Sequence, residues 1–226
     1  IVDAIATGRR IFDNLRAAMA YLLSVHIPIA GISVLPVLFN LPLVLLPVHI
    51  AFLHLIIEPA CSVVFEAEPM AAAAMTRRPR SPSQPLFSRG LIGPSVLQGL
   101  GVLAIVLGVF LVALYRGQGE LDARALTFTT LIFANFGLIL VNRSWSQSVV
   151  TGLKTPNKAL WWVIAGGLAT LGLVLYLPYL RDAFRFSFLH AADLAVCSVA
   201  GIAGIAWFEV WKRTRLRANM SSNSNP

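Results

Sequence analysis

Six apolar runs of similar length dominate this chain and limit what it can fold into. They cover residues 17–39, 43–65, 91–115, roughly 125–141, 160–180 and 191–211, each close to the about 20 residues that a helix needs to cross the hydrocarbon of a bilayer. Lipid offers no hydrogen-bond partners, so a segment placed in it must satisfy its own backbone as a helix or a closed barrel. Runs of this length select helices. With 57% apolar and 12% charged residues among 226, and a mean hydropathy of +0.75, the composition excludes a soluble domain. The expected fold is an all-α membrane protein, a six-helix transmembrane bundle with the lipid bilayer as its surroundings.

An even number of spans puts both termini on one side of the membrane. Of the 18 Lys and Arg residues, 14 fall on that side, and only Arg116, Arg124, Arg181 and Arg185 fall on the other. Basic residues are retained in the cytoplasm, so both termini are expected there. The formal net charge of +8 then reflects orientation and anionic headgroups. No nucleic acid is expected as a partner, because the basic residues are scattered among loops. Residues 1–16 are mixed polar and basic and do not read as a secretory leader. Cys61 and Cys197 lie in different spans without CxxC spacing, and read as small packing residues.

Residues 15–66 form a transmembrane hairpin closed by the tight turn Asn40-Leu41-Pro42. A Pro/Arg-rich cytoplasmic linker follows at 67–90, where no apolar period supports a packed core. Residues 91–211 supply four further helices. Gly99, Gly101, Gly108, Gly166, Gly167, Gly172, Gly201 and Gly204 lie inside them, as close helix packing requires. Trp145, Trp161, Trp162, Trp207 and Trp211 fall at span ends as an aromatic belt. The tail, 212–226, is basic and then rich in Ser and Asn, and reads as disordered.

Glu58 stands in the middle of the second span. A charged group at that depth costs about 2.5–3.5 kcal/mol on insertion scales, so such residues usually serve function. Pro59 follows and removes a backbone donor, which leaves the Leu55 carbonyl without its usual partner. A carboxylate beside a loosened backbone is a common way to build a mid-membrane ion site. His54 lies four residues before Glu58 and Ser62 four after, so the three share a helix face. On the first span His26 precedes Pro28, whose ring breaks the bond to the Ser24 carbonyl. His26, His54, Glu58 and free carbonyls would together surround one small cation or a proton. The plainer reading is that His26 satisfies a neighbouring backbone group and that His54 neutralises Glu58. His49, near the outer boundary, reads as interfacial. Asn135 and Asn142, seven residues apart on one face of the fourth span, are secondary candidates whose plainer role is to join helices by hydrogen bonds.

The opening Ile1-Val2-Asp3-Ala4-Ile5-Ala6-Thr7-Gly8-Arg9-Arg10-Ile11-Phe12-Asp13-Asn14 resembles the exit from the phosphorylation domain of P-type cation ATPases into their fifth membrane helix. Further matches follow in order. Leu46-Pro47-Val48-His49 precedes the sixth helix, Glu66-Ala67-Glu68-Pro69 follows it, and Arg77-Arg78-Pro79-Arg80 is similar to a linker of calcium-pump-like members. Phe133-Ala134-Asn135 through Asn142-Arg143-Ser144-Trp145 resembles the eighth helix of a bacterial branch. The resemblance covers residues 1–211 and implies that the six spans are helices five to ten of a ten-helix pump, with residues 1–14 the end of the phosphorylation-domain connection.

The Asp-Lys-Thr-Gly, Thr-Gly-Glu and Gly-Asp-Gly motifs of the family do not occur in this sequence. The resemblance therefore implies a fragment of a pump or a truncated gene product, with no catalytic site of its own. ATP and Mg would serve the complete pump, and the partners would be the N-terminal membrane helices, the cytoplasmic ATPase domains and a small cation. It also implies a bacterial inner membrane location. The family's calcium ligands on the fifth helix match His26 and Ile29, and those on the sixth match His54, Ile57 and Glu58. Calcium takes six to eight oxygen ligands, so a proton or a histidine-tolerant divalent metal suits these residues better.

The expected function is the transport portion of an ATP-driven cation pump. Two alternatives remain open from the residues: a stand-alone, non-catalytic membrane module acting as a partner subunit, and a proton-coupled secondary transporter. Topology is directly testable. A Ser83→Cys variant should resist an impermeant thiol reagent in intact cells and react after permeabilisation, whereas labelling of intact cells would reverse the orientation.

Overall fold

The computed structural model describes residues 1–71, 74–76, 86–143 and 149–222, with side chains in the last helix up to Lys212 and that of Thr214. The Arg77-Arg78-Pro79-Arg80 motif, Ser83, Ser144, Trp145 and residues 223–226 lie outside them. Within the described residues the secondary structure is helical, without strands. Helix α1 (Val2–Leu38) runs 37 residues without a break through Pro28 and Pro36. At 1.5 Å per residue it is about 55 Å long, well beyond the hydrocarbon thickness of about 30 Å. Residues 1–14 thus continue the first span as helix.

Helix α2 (Pro47–Pro59) passes directly into a π-helical turn, Ala60–Val64. Residues 43–46, expected inside this span, are not helical, and Leu46 just ahead of the helix is extended. Pro47 opens the helix because the first turn needs no donor from it. Ahead of it, Arg124 donates to the Leu43 carbonyl from Nε at 3.0 Å and Nη2 at 2.8 Å. The remaining helices are α3 (Arg89–Tyr115), α4 (Glu120–Asn142), the short α5 (Val149–Lys154), α6 (Lys158–Tyr176), the short α7 (Pro178–Ala183) and α8 (Ala191–Ser222). The fifth apolar run is therefore divided, since α6 ends at Tyr176 and Pro178 starts a new helix. The sixth runs on as helix through 212–222, the stretch that composition reads as a disordered tail. Its Lys, Arg, Leu and Ala residues are good helix formers.

Six helices are long and apolar enough to cross a membrane: Val2–Leu38, Pro47–Val64, Arg89–Tyr115, Glu120–Asn142, Lys158–Tyr176 and Ala191–Lys212. Helix α4 is the centre of the bundle. Its apolar window is 83% buried, against 28–39% for the other five. It packs against α1, α3, α6 and α8, while α1 lies along α3, and α2 with its π turn leans on α6. The core joins Tyr21, Val25 and Ile32 of α1 to Phe128, Leu131, Ile132 and Leu138 of α4 and to Phe208 of α8.

Two glycines permit close approach of a neighbouring helix's backbone. A Cβ at Gly201 would lie 2.7 Å from Phe133 Cβ and 2.8 Å from the Ala134 amide nitrogen, and one at Gly99 would lie 2.7 Å from the Ser24 carbonyl oxygen. Gly108, Gly166 and Gly172 face open space, with nothing within 4 Å. Gly201→Ala should therefore lower stability by about 1–3 kcal/mol, the usual cost of overpacking. Gly108→Ala should leave it unchanged or raise it, because alanine is the better helix former. Thermal unfolding of the two variants in detergent checks the difference in sign.

Candidate functional site

The second span is built around its proline. Pro59 has no N–H, so the helix ladder lacks one donor, and the backbone widens just after it. There the Phe65 amide donates to the Ala60 carbonyl, five residues back, at 3.1 Å. Turns of this kind are rare and concentrate at functional sites. The Ser62 hydroxyl folds back on this segment and donates to the Glu58 carbonyl at 2.8 Å.

Glu58 projects from the turn before and is exposed. Among the described residues no hydrogen bond or ion pair reaches its carboxylate. His54, one turn away, is half-buried, and His26 on α1 is exposed. The two imidazoles meet edge to face with ring centroids 6.3 Å apart. His26 Nδ1 lies 2.8 Å from the Leu22 carbonyl. A carbonyl only accepts, so Nδ1 carries the proton and Nε2 is the nitrogen left to bind a proton or a metal. Hairpin helices α1 and α2 thus present two imidazoles and a carboxylate along one open side. No group of three or more His, Cys, Asp or Glu among the described residues is arranged to hold a metal ion.

The two asparagines turn elsewhere. Asn135 Oδ1 accepts from the Tyr21 hydroxyl at 2.7 Å. Asn142 Nδ2 donates to Gln98 Oε1 and to the Leu138 carbonyl, both at 2.9 Å. Ser24 Oγ lies 2.8 Å from the same Gln98 oxygen. All five side chains are buried, and they fasten α1, α3 and α4 together. Gln98 Nε2, Asn135 Nδ2 and Asn142 Oδ1 are left without partners among the described residues.

Two clamps hold the ends of the α2 span, and sequence reasoning identified neither. At the end remote from the termini, His49 is fully buried, not interfacial as its position in the sequence suggests. Its Nδ1 accepts the Leu46 amide at 2.8 Å and its Nε2 donates to the Phe184 carbonyl at 2.9 Å, so the ring is neutral with its proton on Nε2. Phe128, Phe184 and Phe186 surround it at centroid distances of 4.9–5.3 Å. At the other end Arg143 grips Glu68 with two bonds, Nε to Oε2 at 2.8 Å and Nη2 to Oε1 at 3.0 Å. Asn157 Nδ2 donates both to Glu68 Oε2 at 2.9 Å and to the Val64 carbonyl at 3.0 Å. Its Oδ1 caps α6 by accepting the Leu160 amide at 3.1 Å. Asn14 of α1 completes the clamp by donating to the carbonyls of Glu66 and Glu68 at 3.1 and 2.9 Å. The one signal in the sequence was Asn157 just ahead of an apolar period, where an N-cap belongs.

Comparison with known proteins places this architecture. Residues 42–214 match the family model described as "Cation transporting ATPase, C-terminus". The chain is similar to the calcium-transporting ATPase of Bacillus subtilis, at 25% identity over 209 residues that cover 92% of this chain and 23% of that protein. It is 28% identical to calcium-transporting ATPase 1 of Lactococcus lactis over 212 residues, 88% of this chain and 23% of the relative. With the human calcium-transporting ATPase type 2C member 1 it shares 24% identity across 100% of this chain and 25% of the relative. The chain spans about a quarter of the length of the curated relatives it matches. Six spans, their order and the family match over three quarters of the residues lead to one conclusion: the chain belongs to the cation-transporting ATPase family, as its C-terminal membrane region.

Proposed function

We propose that this chain forms part of the intramembrane cation path of an ATP-driven pump, with Glu58 as its carboxylate and His26 and His54 as its neighbours. The observation that carries this reading is the exposure of Glu58. It sits mid-span without a hydrogen-bond or ion-pair partner among the described residues, on the side of α1 and α2 that these six helices leave open. A bare carboxylate facing lipid is costly, so that side is where the remaining membrane helices of the pump would pack. ATP and magnesium act on the cytoplasmic domains of such a pump, which lie outside these residues. The bacterial inner membrane is the proposed location.

In this reading a cation enters beside Glu58 and neutralises it, and conformational change around the loosened backbone at Pro59 alters its access from one side to the other. Pro59 contributes by freeing a carbonyl at the level of the carboxylate, whereas the Ser24 carbonyl that Pro28 frees is packed against Gly99 of α3. Asn135, Asn142 and Ser62 support the helices instead of the ion. Glu58→Gln should abolish cation-stimulated ATP hydrolysis in the complete pump while leaving insertion intact, because the amide keeps the shape but cannot ionise. Wild-type transport by that variant would remove Glu58 from the path.

The histidines bear on which ion is moved. Calcium is coordinated by oxygen, whereas imidazole nitrogen suits a proton or a borderline divalent metal. Replacing His26 and His54 together by Asn should shift either the cation preference or the pH optimum of the ATPase. The check is activity against a panel of cations across a pH range bracketing the ordinary histidine pKa of about 6.5. An unchanged profile would assign both rings to packing.

A further inference from the structure

We propose that the turn between α5 and α6 binds an anionic phospholipid, with Lys154 and Lys158 on the headgroup phosphate. The turn is held from beneath. Arg143 Nη2 donates to the Thr155 carbonyl at 3.3 Å, and the Asn157 side chain is fixed by Val64, Glu68 and the Leu160 amide. At the other end of α5 the Val149 amide donates to Glu209 Oε1 of α8 at 3.1 Å. The backbone that carries the two lysines therefore has a fixed place, where α4 ends and α6 begins.

The charges around this turn fall into two groups. Arg143 and Lys212 are buried and paired with Glu68 and Glu209, at 2.8 and 3.5 Å. Lys154 and Lys158 are exposed, and no ion pair reaches either of them among the described residues. Two positive charges are thus left without a counter-charge at the level of the headgroups, where each lysine strengthens attraction to anionic lipid about fivefold. The surface beside them is apolar. Helix α5 buries none of its side chains, and Val150 and Leu153 are 61% and 41% exposed. Trp161 and Trp162 are 56% and 78% exposed. They follow Lys158 by three and four residues, so the three side chains share one face of α6. Indole rings favour the membrane interface, with the ring in the apolar layer and the N–H toward water. Below them the same face stays apolar and open through Ala165, Ala169 and Leu173. Ammonium groups, indoles and apolar surface follow in the order of the headgroup, glycerol and acyl chain of a lipid. A soluble acidic partner would match the lysines but not the surface beneath them.

The test uses the full-length protein in zwitterionic nanodiscs that hold a minor fraction of brominated phosphatidylglycerol or, separately, brominated phosphatidylcholine. Bromine quenches nearby tryptophan, and comparison with a Trp161→Phe, Trp162→Phe variant isolates the signal of this corner. That signal should respond to phosphatidylglycerol at about a tenfold lower mole fraction than to phosphatidylcholine. Lys154→Gln with Lys158→Gln should abolish the preference, Lys→Arg at both positions should keep it, and added salt should weaken it. Native mass spectrometry makes the same comparison without the tryptophan variants, since phosphatidylglycerol should stay bound to the wild type and be lost from the glutamine pair. Equal response to the two lipids in the wild type, or a preference that survives in the glutamine pair, overturns the proposal. Displacement of the brominated lipid by soluble glycerol 3-phosphate also overturns it, because the turn would then recognise a free phosphate.

Discussion

The absence of water inside the hydrocarbon is the constraint on which the other features depend. Each backbone group there needs a partner within the protein, and the prolines of α1 and α2 take donors away. The structure answers in different ways at the two sites. At Pro28 the helix stays continuous and the Ser24 carbonyl packs directly against Gly99 of α3. At Pro59 the backbone widens into a π turn, and at the end of that turn the N-cap residue of α6, Asn157, takes the Val64 carbonyl. The non-helical residues 43–46 are tolerated for a related reason, since Arg124 takes the Leu43 carbonyl and His49 the Leu46 amide.

Two carboxylates ten residues apart show how burial and function diverge. Glu68 is saturated: both oxygens are bound by Arg143 and one also by Asn157. A buried pair of this geometry adds little net stability over an apolar contact, but losing one member leaves a bare charge in the interior. Its value is in holding one arrangement. Glu58 has no such bonds among the described residues, and in the proposed reading it is the carboxylate that meets the ion. The fixed carboxylate anchors the helix that carries the free one.

Much of this fold was legible in the sequence, because hydropathy over some twenty residues is a strong signal. The six spans, the tight turn near Asn40 and the importance of Pro59 follow from local chemistry. Boundaries were less legible. Pro47 starts its helix while the Leu43 carbonyl ahead of it finds a partner on α4, and no local pattern contains that information. His49 read as interfacial from its depth, yet it is buried because a distant loop folds over it. The candidates Glu58, His54 and His26 stood out by residue type, and helical spacing aligns the first two. The exposure of Glu58 and His26 could not be foreseen, nor could the pairing of Asn135 with Tyr21 or of Glu68 with Arg143. Such contacts join residues more than seventy positions apart and depend on how the helices cross.

The central position of α4 has a consequence for the order in which the protein is made. This helix carries Arg124, Thr127, Thr129, Thr130, Asn135 and Asn142, all buried, and it reaches the membrane after α1 and α3 but before α8. The earlier helices receive its asparagines at once, through Tyr21 and Gln98. Its opposite face, where Gly201 sits on Phe133 and Cys197 on the Leu126 carbonyl, has no cover until α8 is synthesised. During biogenesis α4 is therefore half-assembled until α8, which follows it in the chain, seals the bundle.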